Sequence, residues 1–68
     1  MAVRTELLVE RDGLKEFRAM SDNQEVEVVI IVKASNDILE RLHNTLFDTA
    51  KMLGMLLEDE AKKVKKDG

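Results

Sequence analysis

Glu25-Val26-Glu27-Val28-Val29-Ile30-Ile31-Val32-Lys33-Ala34 decides the fold. Its valines and isoleucines are stiff at χ1 and fit a pleated surface better than a helix. By the period of two, Val26, Val28, Ile30 and Val32 share one face. Glu25, Glu27 and Lys33 lie on the other, with Val29 and Ile31. The stretch reads as a strand buried on one side and half-apolar on the other.

Working upstream, Ser21-Asp22-Asn23-Gln24 and Arg11-Asp12-Gly13 are turn clusters. Pairing Glu10 with Leu14 across the first sets Leu7 opposite Phe17, Glu6 opposite Arg18 and Thr5 opposite Ala19. One register thus yields an apolar pair and an opposite-charge pair, both of which stabilise a sheet. Pairing Met20 with Glu25 across the second sets Phe17 against Val28, Ala19 against Val26 and Arg18 against Glu27. The shared inner face holds Val3, Thr5, Leu7, Val9, Phe17 and Ala19 with the even-numbered residues 26–32, and Lys15 is its one misfit. Slipping either turn by one residue would invert that face.

Downstream of Ala34 the period changes. Leu39, Leu42, Leu46, Ala50, Leu53, Leu57, Ala61 and Val64 recur at steps of three and four, the stripe of an amphipathic helix. Ser35, Asn36 and Asp37 are N-cap candidates, and Asp37 with Glu40 resembles a capping box. The expected fold is α+β: a three-stranded antiparallel meander (about 2–10, 14–20, 25–34) and one long helix (about 36–65). These form a single β-β-β-α domain over residues 1–68.

Size then bears on function. A chain of 68 residues and 7.7 kDa buries a small core, and folds of this length usually lean on disulfides, metals or association. There is no cysteine and only one histidine, which leaves association. A helix of that length spans about 45 Å, longer than its own sheet can cover. Either it breaks at Gly54 and folds back, or its overhang packs on another chain. Ala50 and Gly54 are small residues four apart, and Met52 and Met55 fall away from the main stripe as a second contact surface. The strand at 25–34 would be a flat, apolar sheet edge without proline, which proteins rarely leave bare. Pairing it with its own copy across a two-fold axis would double the sheet. A homodimer is therefore expected, with Val26, Val28, Val29, Ile31, Ala50, Met52, Leu53, Gly54, Met55, Leu56 and Leu57 at the interface.

Chemical motifs are sparse. His43 has no recognisable nucleophile pattern around it and reads as a helix-edge histidine with local hydrogen bonds. Glu58-Asp59-Glu60 points in three directions and reads as a solvated face rather than a metal cage. Lys62, Lys63, Lys65 and Lys66 could contact an anion, but they also complement the helix dipole. The net charge of −3 argues against a general polyanion binder. No catalytic residue, cofactor or metal is expected, and neither is a membrane span; the start shows no signal-peptide pattern, so the expected compartment is the cytoplasm. The leading expectation is a non-enzymatic homodimeric module that docks on a larger protein. Small solitary chains of this kind suit phage and mobile-element accessory proteins, an analogy at the level of fold alone. The alternatives are a nucleic-acid-binding transcriptional regulator using the lysines, and a small-molecule binder with its pocket at the dimer interface.

Overall fold

A computed structural model describes the backbone of residues 3–67 and the side chains through Lys63. Strands β1 (Val3–Arg11), β2 (Leu14–Ser21) and β3 (Glu27–Lys33) form an antiparallel sheet in the order β1-β2-β3. Helices α1 (Asn36–Arg41) and α2 (His43–Asp67) follow, so the architecture is α+β as expected.

The first hairpin keeps the expected pairs Leu7–Phe17, Glu6–Arg18 and Thr5–Ala19 but reaches them differently. Arg11 pairs with Leu14, so Asp12 and Gly13 alone make the turn, with Gly13 at φ +76°. An extra residue at Leu8 forms a bulge that restores the register. The bulge corrects one part of the sequence reading. Val9 now lies opposite Glu16 on the outer face, and Glu10 takes the inner position opposite Lys15.

The second hairpin lies two residues from the expected register: Phe17 faces Ile30, Ala19 faces Val28 and Met20 faces Glu27. The cause is Ser21, which closes a wider loop. Its N–H donates to the Val26 carbonyl (3.1 Å), its carbonyl accepts from Gln24 N–H (2.9 Å), and its hydroxyl accepts from Val26 N–H (3.2 Å). Gln24 takes a left-handed φ of +62° to make this bend. A shift of two preserves the faces, so Val28, Ile30 and Val32 still point inward. Arg18 also still meets Glu27 (3.4 Å), now on a diagonal, as well as its partner Glu6.

Ser35 is the N-cap, its hydroxyl accepting from Ile38 N–H at 3.3 Å. Asn36 has another task. Its side chain accepts from Gly13 N–H (2.8 Å) and donates to Asp12 (2.5 Å), stapling the first turn to the helix start. Asp37 pairs with Arg41 (3.4 Å) instead of closing a capping box. The expected single helix is offset at Leu42, where φ is −102° and ψ 7°, and α2 then continues through Gly54 without a break.

The sheet-facing stripe of the helix is rotated from the apolar one. Leu39, His43, Leu46, Phe47, Ala50, Gly54, Glu58 and Ala61 are buried or half-buried, whereas Leu42, Leu53 and Leu57 are exposed. Gly54 sets this rotation, because a Cβ there would sit 3.0 Å from Ala19 Cβ and Val3 Cγ1. The helix lies closest to the sheet where its side chains are smallest. The core is correspondingly thin: Phe17, Ala19 and Ala50 form its centre, with Leu39 buried nearby. The Phe17 ring meets Phe47 edge-on at 6.3 Å and His43 at 5.4 Å.

The molecule measures 46 × 16 × 16 Å and its radius of gyration is 13.6 Å. A compact chain of this length would have about 11 Å. Its accessible surface is 4926 Å², against about 4,300 Å² for a compact monomer of this mass.

Candidate functional site

Two regions stand out, one polar and one apolar. The polar one centres on Lys15, the misfit of the inner face, which is only 5% exposed. The bulge brings Glu10 beneath it, 3.2 Å from its ammonium. From the helix, His43 Nδ1 lies 2.8 Å away. An ammonium has only donors, so in this contact the Lys15 ammonium donates and Nδ1 accepts. His43 thus bonds across the fold, not locally as the sequence implied. A cleft of about 470 Å³ opens beside this triad, lined also by Leu7, Glu40 and Asn44. The buried ammonium is accounted for by its two partners, and Glu40 places a second carboxylate at the cleft wall. Among the described residues, no three His, Cys, Asp or Glu side chains gather in a metal-binding group.

The apolar region is larger. Val29 and Ile31 on the outer face of β3 are 47% and 59% exposed. On the helix, Ile38, Leu42, Leu53 and Leu56 form an exposed flank, and Met52 and Met55 lie further round on the solvent side. Met52, Met55 and Leu56 border a shallow depression of about 390 Å³ between the stems of Asp48 and Lys51. The side of the helix on which the flank lies is fixed by its opposite: Glu40 and Asn44 share a cleft with Leu7 and Glu10 of β1. At 100° per residue, Leu42 and Leu53 then lie on the opposite flank of the helix. Among the described residues no strand pairs with the outer edge of β3.

The residues expected at an interface therefore divide. Val29, Ile31, Met52, Leu53, Met55, Leu56 and Leu57 are exposed. Val26 and Val28 are half-buried beneath the helix side of the sheet. Ala50 and Gly54 are buried against the chain's own sheet. The acidic cluster divides as well. Asp59 and Glu60 are exposed and both reach Lys63 (4.0 and 3.2 Å), but Glu58 is buried, which corrects the reading of it as solvated. Of the lysines, Lys62 and Lys63 are exposed. The side chains of Lys65 and Lys66 lie outside the described residues.

Sequence reasoning missed the Lys15–Glu10–His43 triad. Its available signal was Lys15 itself, a charge on an otherwise apolar face. Among the described residues, no helix is long and apolar enough to cross a membrane. Comparison with family models, curated proteins and solved structures gives no match to this chain.

Proposed function

We propose that this chain is a non-enzymatic homodimeric binding module that docks on a larger protein in the cytoplasm. One observation carries the reading: four apolar side chains are fully buried among the described residues, whereas eleven large ones are exposed. Scattered apolar residues on a surface are ordinary, but runs of them on a strand edge and on a helix flank support an interaction surface. Self-association uses the edge of β3 and the adjoining helix flank around Leu53. The methionine side of the depression, Met52 and Met55, then remains open to a different protein, and flexible thioethers suit such docking.

The test is affinity capture from the native host with the intact chain and with a Met52→Lys, Met55→Lys double variant. The expected result is a captured protein that the variant loses while its own oligomeric mass stays unchanged. Capture that is indifferent to the double variant would contradict the docking site. Tight DNA or RNA binding at low salt, abolished by deleting residues 62–68, would favour a nucleic-acid regulator instead.

A further inference from the structure

We infer that two copies join through β3 in a single antiparallel register centred on Ile30, with Glu27 of each copy paired to Lys33 of the other. This rests on the homodimer reading above and deepens it.

Backbone geometry selects which groups are available. Ser21 N–H donates to the Val26 carbonyl and Ala34 N–H to the Gly13 carbonyl, at 3.1 and 3.2 Å. Even-numbered residues in and around β3 therefore turn their backbone groups toward β2. By the alternation of an antiparallel ladder, Glu27, Val29, Ile31 and Lys33 turn theirs outward to the open edge. An identical strand docked antiparallel must match these outward residues with each other. It must also keep inner faces on one side, since the helices cover that side only.

Registers centred on Val29, Ile30 or Ile31 meet both conditions, but they differ in charge and overlap. Centred on Ile30, all seven residues of β3 find a partner. Val29 then sits opposite Ile31 of the partner subunit, so the two most exposed aliphatic residues of the strand cover each other's copies. Glu27 meets Lys33 of the partner subunit at one end, and the two-fold repeats the pair at the other. Centring on Val29 or Ile31 shortens the overlap within β3 to five residues and separates Glu27 from Lys33; centring on Val29 replaces that pair by Glu25 and Lys33, with Glu25 outside the strand. The strand Glu-Val-Val-Ile-Ile-Val-Lys is thus complementary to itself when reversed, in charge and in face. This complementarity commits the edge to a second copy of the chain.

Two experiments on the full chain test this. Because the chain has no cysteine, Val29→Cys, Ile30→Cys and Ile31→Cys variants can be oxidised separately. Facing residues in a non-hydrogen-bonded pair lie about 4.5 Å apart at Cα, within disulfide reach. Cross-linking strongest at position 30 is the expected result; cross-linking strongest at 29 or 31 would overturn the register. Charge variants give a second readout that leaves the core untouched. Lys33→Glu alone sets like charges together at both ends and should weaken self-association on the order of tenfold. Mixed with Glu27→Lys, it should form heterodimers in preference to either homodimer. Dimers that show no such preference would refute the register while leaving the homodimer standing. A monomeric intact chain would refute both.

Discussion

The two edges of this sheet are managed in opposite ways. The β1 edge is blunted locally: Leu8 bulges out of the ladder, Arg4, Glu10 and Arg11 are exposed along it, and the polar cleft with Lys15 and His43 lies against it. The β3 edge has no bulge, and only Glu27 and Lys33 flank a run of five aliphatic residues. Bulges and charges are the usual guards against strand-to-strand pairing. The contrast teaches that one edge is closed by its own sequence, whereas the other is left open among the described residues and is the edge to which we assign the proposed assembly.

Proline placed on the two edges should break this symmetry most sharply. Ile31→Pro removes an N–H that points away from β2, so the protomer's own ladder survives. Self-association should weaken by about a hundredfold or more, seen by sedimentation velocity with the far-ultraviolet spectrum unchanged. The same alternation turns Thr5 N–H outward on β1, and Thr5→Pro should leave the assembly state as it was. Equal effects at both positions would show that the edges do not differ.

Gly54→Leu should act on the fold rather than on either edge. Its side chain must enter space already occupied by Ala19 and Val3, so the helix has to lift. The expected cost is about 1–3 kcal/mol, read from urea denaturation. An unchanged unfolding midpoint would mean that the close approach at Gly54 is unimportant.

Much of this fold was legible in the chain because the period of two survives even-numbered slips. Shifting β2 against β3 by two residues altered every pair but kept Val28, Ile30 and Val32 inward. The Leu8 bulge was not legible, since its effect appears only once the side chains are placed: it carries Glu10 to the inner face beside Lys15, which His43 reaches from the helix. The helix rotation was hidden for a similar reason. Hydrophobicity favours burying Leu42, Leu53 and Leu57, but backbone proximity at Ala50 and Gly54 turns the smaller residues inward. That rotation leaves the leucines exposed. The exposed half of the expected interface was therefore visible as composition, and its division into two surfaces only as geometry.

Lys15→Met should have the smallest effect, and it sharpens what the guarded edge contains. A buried ammonium held by one exposed carboxylate and one imidazole recovers little more than its desolvation costs. An apolar side chain of similar length should leave stability unchanged or raised by up to about 1 kcal/mol. A loss of several kcal/mol in thermal or urea unfolding would show that the triad holds this end of the sheet together.

Sedimentation equilibrium of the intact chain at micromolar concentration tests the central claim most directly. The account predicts a single folded species of twice the 7.7 kDa chain mass. A stably folded particle of 7.7 kDa under those conditions would contradict it.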